Sequence, residues 1–258
     1  GVNVVMDMLY SIIGILIPFL GTTLGSALVF VMKNEMDDRV HKVILGFAAG
    51  VMIAASVWSL LIPSMSMASE QNIASWFPAS LGFIIGIIFL IFINKIAYLF
   101  ENRENGKKLD MLMFSVTLHN IPEGMAVGVC FAGFLAGTSG ISLLASMVLA
   151  IGIAIQNIPE GAIISIPLRA KKMSKVKSFV YGVLSGVVEP VFAIITVLLL
   201  NIVVPILPYL LSFAAGAMIF VVCFELIPEM HNDNKSTLGV VGVSIGFVIM
   251  MILDVVLG

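Results

Sequence analysis

Long apolar runs separated by short polar stretches dominate the chain. Eight of these runs have about 20 residues or more, the length that an α-helix needs to cross the hydrocarbon core of a bilayer. They cover residues 8–32, 43–63, 76–100, 111–136, 141–168, 178–200, 206–228 and 238–257. Because backbone polar groups inside a membrane must pair within the protein, helices are the expected form. The pattern predicts an all-α integral membrane protein with eight transmembrane helices, in which residues 1–258 form a single transmembrane domain.

Composition excludes two classes of protein. Charged residues make up 11% of the 258 residues and hydrophobic residues 60%, whereas a soluble domain has about 25% charged residues. The formal net charge of -2 provides no basic surface for nucleic acid. We therefore expect the lipid bilayer as a partner, no nucleic-acid partner and no soluble domain.

The basic residues predict the orientation of the chain. All 13 Lys and Arg residues lie in or beside the connections between spans 1 and 2, 3 and 4, 5 and 6, and 7 and 8. With eight spans these connections share one face of the membrane, which the positive-inside rule assigns to the cytoplasm. We expect a multi-pass protein of the inner or plasma membrane with both termini extracytoplasmic. Because no basic leader precedes the first span, we do not expect that span to be a cleaved signal peptide.

Two pairs of segments are similar in sequence. Residues 45–65 (LGFAAGVMIAASVWSLLIPSM) match residues 211–230 (LSFAAGAMIFVVCFELIPEM), and HNIPEG at 119–124 matches QNIPEG at 156–161. In each pair one copy is on an even-numbered span and the other on an odd-numbered span, so the copies cross the membrane in opposite directions. This predicts inverted-topology repeats in a 3+2+3 arrangement, a plan common in secondary transporters.

Polar residues inside spans 4, 5 and 6 form a candidate cation site. They are His119, Asn120, Glu123, Gln156, Asn157, Glu160 and Glu189. Spacings of three and four residues place them on one face of each helix, and they lie at a similar depth in the membrane. An ionised carboxylate at the centre of a bilayer costs about 3 kcal/mol, and no span interior contains Lys or Arg to offset that cost. We expect the carboxylates to bind a cation or protons.

The ligand types narrow the choice of cation. An imidazole with carboxylate and amide oxygens suits Zn²⁺, Fe²⁺, Mn²⁺ or Cd²⁺, whereas Ca²⁺ and Mg²⁺ favour oxygen ligands alone. A lone buried histidine is often structural, but the flanking Asn and Glu favour metal binding by His119. Met52 lies at the same depth on span 2 and is either a thioether ligand or a flexible core side chain. The site is therefore predicted between helices 4, 5, 6 and 2.

Other residues complete the prediction. Positions 119 and 120 point about 100° apart around a helix, which predicts two neighbouring centres bridged by Glu123 and Glu160. Pro122 and Pro159 each remove a backbone hydrogen bond, which predicts unpaired carbonyls of Leu118 and Ile155 beside the site, or a simple kink for packing. Near the cytoplasmic end of span 7, Glu225 and Glu229 are candidates for an exit path.

At HNIPEG and QNIPEG, together with the isolated Glu189 on the next span, the sequence resembles the bacterial branch of the ZIP family of zinc and iron transporters. The resemblance implies metal transport toward the cytoplasm and an elevator-type motion of inner helices past a two-fold scaffold. It implies a first site of His119, Glu123, Gln156, Glu160 and Met52, and a second of Asn120, Asn157 and Glu189 bridged by Glu123 and Glu160. Some members have Asp in place of Asn157, so the second site is expected to be weaker in this chain.

We expect a transporter of divalent transition metals, Zn²⁺ above all, with Cd²⁺, Fe²⁺ and Mn²⁺ as further substrates, and no catalytic residues. An intramembrane metal-dependent hydrolase is one alternative, although the chain has no HExxH helix. A proton or cation channel is another, although it leaves His119 and the paired Asn residues unexplained. A second copy of the chain, in a homodimer, is a candidate partner.

Overall fold

The chain folds into a series of long helices. The computed structural model describes residues 2–31, 37–101, 108–138, 141–170, 172–230 and 237–257, and these ranges contain no β-strand. The helices are α1 (Val2–Val31), α2 (Asp38–Glu70), α3 (Trp76–Glu101), α4 (Lys108–Leu135), α5 (Leu143–Ala170), α6 (Lys175–Leu198), α7 (residues 200–230) and α8 (Leu238–Leu257). Within the described residues seven of them are long and apolar enough to cross a membrane, and α4 contributes the shorter apolar stretch Asn120–Leu135. The protein is therefore an all-helical, multi-pass membrane protein, as the apolar pattern predicted.

Several helices begin or end outside the apolar runs. The Asp37 side chain caps α2 by accepting a hydrogen bond from the Arg39 N–H at 2.9 Å, and the Ser174 hydroxyl caps α6 by accepting one from the Lys177 N–H at 3.3 Å. Such polar caps determine where a helix begins, and a hydropathy pattern does not detect them. As a result His41, which precedes the apolar run at 43–63, lies on α2.

Two helices contain a π-helical segment. In α2 this segment is Ser56–Leu61, and in α7 it is Val222–Leu226. The flanking parts are Asp38–Ala55 and Ile62–Glu70 in α2, and Leu200–Val203, the 3-10 turn Val204–Ile206, Leu207–Val221 and Ile227–Met230 in α7. Both π-helices follow the shared FAAG sequence and precede the shared Ile-Pro. The π-helix of α2 has six residues and that of α7 has five. This difference of one residue equals the difference in length between the two similar segments.

Pro122 and Pro159 do not interrupt their helices. Both α4 and α5 continue as α-helix through these prolines. A proline removes one backbone hydrogen bond, but neighbouring helices can hold a membrane helix together through it. The break is instead in α6, at Val187, between Lys175–Gly186 and Val188–Leu198.

The helices pack into two groups of four. In group A, α1 packs along α5 and α4 packs along α6, while α1 also contacts α6. In group B, α2 packs along α8 and α3 packs along α7. The set of pairs stays the same when equivalent helices are exchanged, that is α1 with α6, α2 with α7, α3 with α8 and α4 with α5. For example, the pair of α2 and α8 becomes the pair of α7 and α3. Inverted repeats would produce this packing pattern.

Glycines allow the paired helices to approach closely. A Cβ atom added at Gly46 on α2 would overlap the backbone carbonyl of Gly239, and one added at Gly246 on α8 would overlap that of Phe47. Small residues at such crossings are typical of membrane helix pairs. Large apolar side chains are exposed on the opposite faces, for example Ile84 on α3 and Ile245 on α8. These faces are suited to contact with lipid.

Candidate metal centre

Three carboxylates meet in the interior of group A. Glu123 on α4, Glu160 on α5 and Glu189 on α6 expose 1%, 7% and 1% of their surface, and they are close enough to interact electrostatically. Among the described residues the one buried basic side chain is Lys42, which pairs with Asp38 at 2.8 Å at the start of α2. Buried like charges are unfavourable unless a cation or protons bind to them. The cluster therefore has the chemistry of a cation site.

Amide side chains connect the carboxylates across helices. The Nε2 group of Gln156 donates a hydrogen bond to Oε1 of Glu123 at 2.6 Å. The Nδ2 group of Asn157 donates to Oε2 of Glu189 at 2.8 Å, and the Nδ2 group of Asn120 donates to Oε1 of Glu189 at 3.3 Å. All five side chains are buried. The structure thus brings together these five of the groups that the sequence predicted on α4, α5 and α6.

Five buried oxygen atoms around these hydrogen bonds have no partner among the described residues. They are Oδ1 of Asn120, Oδ1 of Asn157, Oε1 of Gln156, Oε2 of Glu123 and Oε2 of Glu160. Buried polar atoms in folded proteins are nearly always paired, so a group of unpaired ones requires an explanation. Carboxylate and amide oxygens are acceptors, and a positively charged ion is a ligand that would satisfy several of them at once.

Two further predicted ligands, His119 on α4 and Met52 on α2, make none of the hydrogen bonds described above. His119 lies on α4 one turn before Glu123, but its side chain is outside the described residues. In the part of the chain that is described, no three His, Cys, Asp or Glu side chains are grouped closely enough to hold a metal. Met52 is fully buried in the apolar core on α2, and its role as a thioether ligand stays a prediction.

The two exit-path candidates lie in different surroundings. Glu225 is in the π-helix of α7, close enough to Glu160 to interact with it electrostatically. Glu229 is exposed, and its Oε1 atom lies 3.2 Å from Nε2 of His41 on α2. Glu225 is thus connected with the carboxylate cluster, whereas Glu229 joins the ends of α2 and α7.

The break in α6 positions Glu189. Pro190 has no backbone N–H to donate to the carbonyl of Gly186, which explains why the first part of α6 ends there. Glu189 consequently lies in the first turn of Val188–Leu198. The N-terminus of a helix stabilises a negative charge, so this turn is a favourable place for a buried carboxylate.

Two further polar contacts involve residues outside the predicted site. The hydroxyl of Thr22 on α1 donates a hydrogen bond to Oε1 of Glu189 at 2.8 Å. On α8, Asp254 is buried and accepts a hydrogen bond from the Ser59 hydroxyl, beside a cavity of about 240 Å³ that Cys130 also lines. The sequence features that could have indicated these two contacts are the short polar residues in span 1 and the single carboxylate near the end of span 8.

Comparison with known proteins gives the family. The family model of the ZIP zinc transporter matches residues 109–254, which include both NIPEG copies and Glu189. The chain belongs to the ZIP zinc transporter family. The resemblance based on the two NIPEG sequences is thereby confirmed.

Relatives in this family match over nearly the whole chain. Zinc transporter ZIP11 of Xenopus tropicalis is 33% identical over 97% of this chain and 98% of its own. Zinc transporter ZIPB of Bordetella bronchiseptica is 33% identical over 96% of this chain and 82% of its own. Zinc transporter ZupT of Streptococcus mutans is 32% identical over 90% and 92%. These ZIP relatives are named as transporters, which confirms the expectation that the chain is not an enzyme.

Proposed function

We propose that this ZIP family member transports zinc across the membrane through the carboxylate and amide cluster of group A. The observation that carries the proposal is the set of five buried oxygen atoms, next to three buried carboxylates, that have no partner among the described residues. A cation that enters and leaves the cluster explains why the protein retains it in an apolar interior. The names of the ZIP relatives support zinc as that cation.

The proposed site has two metal centres. The first consists of His119, Glu123, Gln156, Glu160 and Met52, and the second of Asn120, Asn157 and Glu189, with Glu123 and Glu160 as bridges. The hydrogen bonds support this division, because Gln156 bonds to Glu123 whereas Asn120 and Asn157 bond to Glu189. The mixed nitrogen and oxygen ligands also suit Cd²⁺, Fe²⁺ and Mn²⁺, which we propose as further substrates.

The proposed transport direction is toward the cytoplasm, through eight spans with both termini extracytoplasmic. The concentration of basic residues in the connections on one face supports this orientation. The packing pattern supports a 3+2+3 inverted repeat, because the exchange of equivalent helices preserves it. In the proposed mechanism group A moves past group B and exposes the site to each side in turn. A homodimer stays a prediction.

Zinc uptake into proteoliposomes tests the proposal. We expect His119→Ala and Glu160→Ala each to lower uptake at least tenfold, because each removes a proposed ligand of the first centre. The control is Glu70→Ala, which removes an exposed carboxylate at the end of α2 and should transport like the wild type. Each variant is first shown to be folded and inserted by its elution as a single species in detergent.

Two outcomes would contradict the proposal. Uptake at the wild-type rate by folded His119→Ala or Glu160→Ala protein would rule out the first centre. A proton or sodium current without zinc flux in the same vesicles would favour the channel alternative.

A further inference from the structure

Thr22 contacts the proposed metal centre from a helix to which the sequence assigned no ligand. Its hydroxyl donates a hydrogen bond to Oε1 of Glu189 at 2.8 Å, and both side chains are buried, with exposures of 0% and 1%. The contact joins α1 to α6 over 167 residues of sequence. It therefore depends entirely on how the helices pack in group A.

The packing fixes the position of Thr22 from two sides. A Cβ atom added at Gly161 on α5 would overlap the backbone carbonyl of Thr22, and one added at Gly186 on α6 would overlap its side chain. The same carbonyl accepts a hydrogen bond from the Ser26 hydroxyl at 2.8 Å. The contacts on these two sides hold the Thr22 backbone and side chain beside α5 and α6, where the hydroxyl donates to Glu189.

The hydrogen bonds leave Glu189 with little free acceptor capacity. A carboxylate has two oxygen atoms with about four acceptor positions in total. Thr22 and Asn120 both donate to Oε1, and Asn157 donates to Oε2. One acceptor position therefore remains, and it is on Oε2. A metal ion at the second centre would therefore bind Glu189 through Oε2 alone.

We propose that Thr22 is a positioning residue of the metal centre: its hydroxyl occupies Oε1 of Glu189 and so directs Oε2 toward the metal. The proposal rests on the proposed transport function. It explains why α1 belongs to the helix group that carries the site, although α1 supplies no ligand. Groups that orient a metal ligand typically contribute 10–100-fold to metal affinity.

The variants separate the hydroxyl from the bulk of the side chain. Thr22→Val removes the donor and keeps the shape, and we expect it to raise the KM for zinc uptake at least tenfold. Thr22→Ser keeps the donor and should stay within threefold of the wild type. The matched control is Thr23→Val, because the Thr23 hydroxyl bonds to the carbonyl of Phe19 on its own helix at 2.8 Å. It should transport like the wild type.

A double-variant experiment tests whether Thr22 acts through Glu189. Initial rates of zinc uptake are measured against zinc concentration for Thr22→Val, Glu189→Ala and the combination of both. Zinc affinity in detergent is measured in parallel by competition with a fluorescent chelator. If Thr22 orients Glu189, Thr22→Val has no further effect on KM or affinity once Glu189→Ala is present, because no acceptor for the hydroxyl remains at position 189. Should Thr22→Val not yield folded protein, Thr22→Ala replaces it, since it also removes the hydroxyl and adds no bulk.

Three results would overturn the inference. One is a wild-type KM and affinity for Thr22→Val. Another is an equal loss in Thr22→Ser and Thr22→Val, which would mean that the side chain serves packing alone. The third is an equal effect of Thr22→Val with and without Glu189→Ala. Each of these leaves zinc transport by the wild type intact, whereas absence of uptake by the wild type would contradict the proposed function itself.

Discussion

Glu123 and Glu189 differ in how much of each carboxylate is free to bind a metal. Oε2 of Glu123 has no partner among the described residues, whereas Glu189 accepts three hydrogen bonds from Thr22, Asn120 and Asn157. Glu123 is also the proposed bridge between the centres. We therefore expect Glu123→Ala to abolish binding at both centres, while Glu189→Ala retains the first metal and changes the transport rate.

Anomalous scattering from crystals soaked in Zn²⁺ or Cd²⁺ measures the number of metals directly. The wild type should show two peaks and Glu189→Ala one peak. Glu70→Ala serves as the control and should match the wild type. A single peak in the wild type that is unaffected by Glu189→Ala would refute the two-centre arrangement.

Sequence patterns indicate candidate ligands more readily than the groups proposed to orient them. Asn120 and Glu123 are recognisable because a spacing of three residues places polar groups on one face of an otherwise apolar helix. Thr22 and Thr23 are adjacent in the same apolar run, and both hydroxyls can bond to their own backbone. Only the packing of α1 against α5 and α6 determines that Thr22 faces Glu189 while Thr23 bonds to Phe19.

At the scale of helices, hydropathy predicted the order of the elements and not their internal geometry. The helices run on through Pro122 and Pro159, whereas α6 is interrupted before Pro190. The consequence of a proline depends on what surrounds it, which sequence alone does not reveal. The π-helices of α2 and α7 have no local signal of their own. Their equivalence becomes visible only when the two FAAG segments are compared.

Close packing of the helix pairs predicts a stability effect. We expect Gly46→Leu to lower the free energy of unfolding by about 1–3 kcal/mol, because its side chain must push α8 away at the Gly239 carbonyl. Thermal unfolding in detergent measures the change. The control is Val240→Leu, at a half-exposed position on α8, which should leave the Tm unchanged. Equal Tm values for the two variants would show that α2 and α8 do not pack as closely as the structure describes.

At the scale of the whole molecule, the division into two helix groups determines what a transport cycle can move. The described polar groups of the site, on α1, α4, α5 and α6, all belong to group A. Of the proposed ligands, only Met52 belongs to group B. A rigid displacement of group A would therefore carry nearly the complete site across the membrane while α2, α3, α7 and α8 stay in place. Met52 would be the one ligand left behind.

A reversible cross-link between the groups tests this motion. Gly152 on α5 and Met250 on α8 face each other across the boundary between the groups, because a Cβ atom added at Gly152 would overlap the Met250 sulfur. Gly239 on α8 and Met230 on α7 have the same relation inside group B.

Both pairs are changed to Cys in protein that carries Cys130→Ala and Cys223→Ala. A short bis-methanethiosulfonate reagent should block zinc uptake in the first variant and spare the second, because only the first bond restrains group A. A reducing agent should restore uptake. Full uptake by completely cross-linked Gly152→Cys/Met250→Cys protein would contradict a sliding motion between the groups.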